Sequence, residues 1–149
     1  MDLIKKNTDY GFRAVVALAA GYGKESVSTK LLAEQSDISY QFAAKILQKL
    51  HNSGLIASSM GPRGGFVLAR EPAKISLRDV LESLQGPVSI NKCLLGHDKC
   101  RRQPSCPVSR KLEQLQGYVE QFLGNATIQE LLDVDEERNK SGRRRGGKK

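Results

Sequence analysis

The 149-residue sequence contains no tryptophan, and only 5% of it is aromatic, which argues against large aromatic binding platforms. No apolar run approaches the roughly 20 residues that a bilayer-spanning helix needs. Asp9 and Arg13 interrupt the apolar stretch that follows Lys5 and Lys6, and no small-residue cleavage site fits, so a signal peptide is not expected. The expected location is cytoplasmic, with no membrane partner. Cysteines number only three, and an odd set in that compartment reads as ligands or reactive thiols rather than disulfides. With two histidines, no nucleophile motif and no phosphate loop, no convincing catalytic constellation is present. Gly61-x2-Gly64-Gly65 lacks the strand–helix context of a nucleotide site, and the chain reads as a non-enzyme.

What is abundant is positive charge. The formal net charge is +8 and the pI is near 9.6, favouring an anionic partner. Residues 133–149 carry seven basic and four acidic side chains, a net +3, which leaves +5 on residues 1–132. The case for nucleic acid therefore stands without the C-terminal stretch.

Helical periodicity and turn chemistry divide the chain. Thr8 is a candidate N-cap for a helix over 8–20, with Tyr10, Ala14, Val15, Ala17 and Leu18 on one stripe. Ser28 caps a short helix to Gln35, Ser36-Asp37 makes a turn, and Ser39 caps a second helix to about Asn52. Gly54 is suited to a left-handed stop. Two apolar runs, Leu55–Ala57 and Phe66–Leu68, flank a Pro- and Gly-rich loop and predict a β-hairpin. Ser76 and Asp79 form a capping box for a helix through Leu84. Residues 86–106 show no periodicity and hold all three cysteines. Pro107 opens a long helix whose apolar positions Val108, Leu112, Leu115, Val119 and Phe122 repeat at four, three, four and three residues, as in a seam between subunits. Packing against its own domain satisfies that pattern equally well. Thr127 with Glu130 caps a closing helix through Leu132.

The predicted fold is mainly α with a small β-hairpin: a winged helix-turn-helix followed by a long C-terminal dimerisation helix. The expected division is a DNA-binding domain over 1–85, a cysteine-containing loop over 86–106, the dimerisation and closing helices over 107–132, and a disordered basic tail over 133–149. In a helix-turn-helix the second helix enters the major groove. With Ala43, Ile46, Leu47 and Leu50 turned inward, that helix offers Ser39, Tyr40, Gln41, Lys45, Gln48 and Lys49 to DNA. Gln41 has the geometry to bond adenine, and Lys45 to reach guanine or phosphate. Phe42 lies at the margin and is assigned to the core. Arg63, between Pro62 and two glycines, suits a minor groove or a phosphate.

The spacing Cys93-x6-Cys100-x5-Cys106, with His97 inside it, suits a soft metal or an iron–sulfur cluster. Zinc sites use closer pairs, and three unrelated thiols remain the plain alternative. Taken together, Thr8-Asp9-Tyr10-Gly11-Phe12-Arg13-Ala14, Ile38-Ser39, Leu50-x3-Gly54-Leu55-Ile56, Gly61-Pro62-Arg63-Gly64-Gly65-Phe66, the three cysteines and Thr127-Ile128-Gln129-Glu130-Leu131-Leu132 form a recognisable order. It resembles the bacterial winged-helix transcriptional regulators of the IscR and NsrR type, over residues 1 to about 133.

The resemblance implies a homodimer on double-stranded DNA with two half-sites, acting as a repressor. It also implies an iron–sulfur cluster, [4Fe–4S] in preference to [2Fe–2S], on Cys93, Cys100 and Cys106. In the IscR-like branch the fourth ligand is a His where this chain has Ser109. In the NsrR-like branch it is an Asp of the other subunit, and Asp9 takes that place here, with His97 as the alternative. The implied signals are nitric oxide or oxygen at the cluster, redox state or iron–sulfur status. A cluster-free regulator using its cysteines for thiol redox sensing or zinc binding is the alternative.

Overall fold

The computed structural model describes residues 3–94, 100, 102 and 105–145. Six helices and one hairpin follow in order: α1 (Lys6–Ala20), α2 (Thr29–Ser36), α3 (Tyr40–Asn52), β1 (Ile56–Ser59), β2 (Gly65–Leu68), α4 (Leu77–Gln85), α5 (Pro107–Asn125) and α6 (Ile128–Arg145). Short 3-10 turns lie at Pro72–Lys74 and Lys92–Leu94.

Side chains next to the helix starts set several boundaries by satisfying backbone donors that a first turn leaves open. The Leu31 amide donates to Ser28 Oγ at 3.1 Å, and the Phe42 amide to Ser39 Oγ at 3.2 Å. At α4 the box is reciprocal: the Asp79 amide reaches Ser76 Oγ at 3.1 Å, and the Ser76 amide reaches Asp79 Oδ2 at 2.9 Å. Between α2 and α3 the chain reverses at Asp37, which adopts the left-handed region at φ 51°. Asp tolerates that region better than most residues.

One apolar core joins α1 through α4 with the start of α6. Ala14, Val15, Leu18, Ala43, Ile46, Leu47, Leu50, Leu55, Ile56, Val80 and Ile128 are all nearly inaccessible within it. A second, smaller cluster of Leu81, Val88 and Leu123 fastens α5 and the start of the cysteine segment onto α4. Across the α5–α6 link, the Leu77 amide donates to Ala126 O and the Ile128 amide to Ile75 O, both at 2.9 Å. The closing helix therefore packs as part of the helix-turn-helix body.

β1 and β2 pair antiparallel, Ile56 opposite Leu68 and Ser59 opposite Gly65. Val27 adds a rung on the far side of β2, exchanging two 2.9 Å backbone bonds with Phe66. Gly65 is required by that approach: a Cβ there would lie 2.4 Å from the Val27 carbonyl oxygen.

Two expectations need correction, and a third divides between its two alternatives. Helix α1 starts at Lys6, so Thr8 is not its cap. Thr8 is instead fully buried, and its hydroxyl donates to Gln85 Oε1 at 2.6 Å. The long helix has two apolar faces. Leu123 is buried and Val119 packs on the small cluster, while Val108, Leu115, Tyr118 and Phe122 are each at least half exposed. Finally, α6 does not stop at Leu132 but runs to Arg145, through part of the stretch expected to be a disordered tail. Its polar residues include good helix formers, and Gln129 bonds Asp133 at 3.0 Å while Lys140 lies 3.8 Å from Glu136, one turn apart in each case.

Candidate nucleic-acid interface and cysteine segment

Helix α3 turns Ala43, Ile46, Leu47 and Leu50 into the core and leaves Ser39, Tyr40, Gln41, Lys45, Gln48 and Lys49 exposed. The division follows from three- and four-residue spacing, which stacks the apolar residues on one stripe. Tyr40 is 57% exposed. Phe42 is part of the structural side: it packs against the core and meets the Tyr10 ring edge-on at 5.6 Å. Lys49 stands apart from the other candidates. Its ammonium donates to Leu84 O at 3.1 Å, at the C-terminal end of α4, where helix carbonyls lack internal partners.

The hairpin brings Arg63 to an exposed tip. Two features hold that tip. The Ser26 hydroxyl donates to the Arg63 carbonyl. Gly64 packs so closely that a Cβ would fall 2.8 Å from the carbonyl oxygens of both Ser59 and Gly61. The guanidinium is thus carried on a backbone pinned to the residues before α2. Toward the loop end of the hairpin, Phe66 of β2 packs against His51, in the last turn of α3, at 6.3 Å.

The cysteines sit elsewhere. Cys93 lies in the 3-10 turn, Cys106 precedes α5 as its N-cap residue, and all three thiols are half-buried and unpaired. Gln116 of α5 secures the approach to Cys93: it accepts from the Ile90 amide at 2.9 Å and donates to Val88 O at 2.6 Å. Ser109 is buried, with 3% exposure. Asp9 lies on α1, about half exposed, with its carboxylate 2.9 Å from the Arg13 guanidinium. His97 lies outside the described residues. Among the described residues, no three of His, Cys, Asp and Glu come together as a metal-sized group within one chain.

Sequence reasoning missed the contacts around the end of α4. Gln85 accepts from the Lys5 amide at 3.1 Å and from Thr8, and donates to Leu3 O at 2.9 Å. Gly11 lets α1 press against the same place, since a Cβ there would lie 2.0 Å from Leu84 Cδ1. The first turn of α1, the recognition helix and the root of the cysteine segment therefore converge on Leu84 and Gln85. These are long-range contacts of ordinary residues. Only the glycine inside a helical pattern hinted at one of them.

The family model for Rrf2, described as iron-dependent transcriptional regulator, matches residues 4–134. IscR of Vibrio vulnificus, an HTH-type transcriptional regulator, is 28% identical over 127 residues, covering 85% of this chain and 75% of its own. The solved structure of CymR, the global cysteine regulator of B. subtilis, superposes with a TM-score of 0.75 at 27% identity, covering 90% of this chain and 98% of that one. That of T. potens IscR gives 0.72 at 27% identity, covering 91% and 89%. These relatives are regulators rather than enzymes, and their winged-helix architecture is the one described above. The chain belongs to the Rrf2 family of transcriptional regulators.

Proposed function

We propose that this chain is a dimeric repressor that reads double-stranded DNA with two half-sites through α3 and the wing, under control of an iron–sulfur cluster. One observation carries the DNA reading. The exposed side of α3 begins at its capped N-terminus with Ser39, Tyr40 and Gln41, and the next element is a hairpin with Arg63 at its glycine-rich tip. That is the order in which winged helices meet a major groove and its flank. Ser39, Tyr40, Gln41 and Lys45 face the bases and nearby phosphates, Arg63 the flank, and Lys49 positions α3 on α4. The exposed stripe Val108, Leu115, Tyr118 and Phe122 supports pairing of two copies.

For the sensor, three half-buried thiols on one segment are the soft donors that suit iron. Among the described residues one chain does not gather the ligand set, so the reading places Asp9 of a second copy with Cys93, Cys100 and Cys106, and the burial of Ser109 is consistent with no ligand there. A bound [4Fe–4S] or [2Fe–2S] cluster would supply a centre reactive toward nitric oxide and oxygen. The chain's own residues provide the link to DNA. Asp9 pairs with Arg13, whose guanidinium lies 5.6 Å from the Tyr10 ring, and Tyr10 touches Phe42 of α3. Movement of the first turn of α1 is thereby felt at the recognition helix. Half-sites about one turn (~34 Å) apart make dimer binding sensitive to such movement.

The test is anaerobic purification with visible and Mössbauer spectra, followed by binding to a selected operator before and after nitric oxide or oxygen. A visible chromophore, lost in Asp9→Ala together with the response, is expected. A colourless protein with unchanged affinity would sink the cluster reading. The second reading, thiol sensing or zinc without a cluster, is favoured by the scattered donor set and by the likeness to CymR. It predicts that a disulfide-forming oxidant shifts the DNA affinity of the colourless protein, or that elemental analysis finds zinc.

A further inference from the structure

The family match ends at residue 134, yet α6 continues to Arg145, eleven residues or about 16 Å further at 1.5 Å per residue. Charge over residues 133–149 is sorted. Asp133, Asp135, Glu136 and Glu137 come first. From Arg138 onward Lys140, Arg143, Arg144, Arg145, Lys148 and Lys149 follow, with no acidic residue among them.

The helix is also placed. Val134, Asp135 and Arg138 line one groove of about 520 Å³ together with Val16 of α1 and with Gln35 and Ser36, the last residues of α2. Ser36 is followed by the Asp37 turn and then by the N-cap of the recognition helix. So α6 passes the C-terminal end of α2 and continues beyond it, with no acidic residue in its sequence from Arg138 to Arg145. In this motif the first helix crosses the DNA backbone, which puts flanking phosphates beside it.

We infer that the basic C-terminal end of α6 is a second DNA contact, gripping phosphates that flank the site read by α3 and the wing. The contact is electrostatic and indifferent to sequence, because phosphates carry no base identity. The acidic residues at the start of the extension keep the positive charge at its far end. The inference rests on duplex DNA being the partner of this chain.

Salt dependence is the direct readout, since each neutralised phosphate contributes about 0.9 to the slope of log affinity against log salt. Two comparisons with the full-length chain suffice: Arg143→Gln/Arg144→Gln/Arg145→Gln, which keeps good helix formers, and a chain stopped after Lys140. Binding is measured to the selected operator and to a random duplex of equal length. The slope is expected to fall by about two to three units per protomer in the triple variant and by about four to five per protomer in the shortened chain, which lacks Lys148 and Lys149 as well, on both DNAs and with the operator-to-random ratio unchanged.

An unchanged slope in the triple variant overturns the inference and leaves the helix end simply solvated. So does a variant that loses binding only to vesicles of equal parts phosphatidylcholine and phosphatidylserine. If the wild type shows no operator preference while the slope still falls, the proposed function fails and this contact stands. If preference persists with an unchanged slope, the reverse holds.

Discussion

The helix-turn-helix body and the cysteine-bearing segment with α5 are held together in different ways. In the body, α1, α3, α4 and the hairpin bury their apolar stripes against one another, and polar side chains are pushed outward as a consequence. Among the described residues, the segment after Gly86 is fastened by Val88 in a three-residue cluster and by the amide of Gln116. Its helix still exposes four large apolar residues. A body that satisfies itself can present a fixed surface. A segment that leaves thiols and apolar groups unsatisfied is suited to gaining a partner, a ligand or both.

Substitutions that strike one region and spare the other test that contrast. The largest effect belongs to the core: Leu47→Ala removes a side chain with 1% exposure and should cost about 2–5 kcal/mol in urea unfolding. If the body tolerated it with little loss, the picture of a closely packed scaffold would not hold. Leu115→Asp combined with Phe122→Asp should leave the body folded by circular dichroism but convert the dimer to monomer in sedimentation, with operator affinity falling at least tenfold. A fall in thermal stability without a change in mass would instead assign that stripe to the chain's own packing.

Smaller effects sharpen the division within the body itself. Gln41→Ala should lose about 1–3 kcal/mol of operator discrimination, read by competition with altered sites, and should leave thiol reactivity unchanged. Ser76→Ala removes one half of the α4 capping box and should lower stability by about 1 kcal/mol without altering DNA discrimination. Asp9→Asn breaks an exposed pair with Arg13, so its cost to unfolding should stay below about 1 kcal/mol. A markedly larger cost would mean that Asp9 supports the fold rather than standing available to a second copy.

Most of the body was legible because its signals are local. Ser28, Ser39 and Ser76 cap helices through residues three positions away, and the glycines around Arg63 mark a turn whatever surrounds it. The outward set on α3 followed from periodicity alone. Legibility failed where a distant residue decided the outcome. Thr8 looks like a cap in isolation, but a buried hydroxyl needs a partner, and Gln85 supplies it from the end of α4. Spacing puts Lys49 on the exposed side of α3, but only the fold shows that its ammonium meets Leu84 O. Along α6, charge was read as disorder although the same residues form pairs one turn apart.

The sequence by itself determined the helix-turn-helix order, its capped boundaries, the exposed face of α3 and a cysteine segment without regular period. These rest on interactions spanning a few residues, which keep the same meaning in any fold. Tertiary structure alone decided which face of α5 is left open, that the start of α6 belongs to the main core, and that α1, α3 and the root of the cysteine segment meet at Leu84 and Gln85. Those outcomes depend on which surfaces come into contact across scores of residues, and burial and hydrogen-bond satisfaction settle them only after the chain has closed on itself.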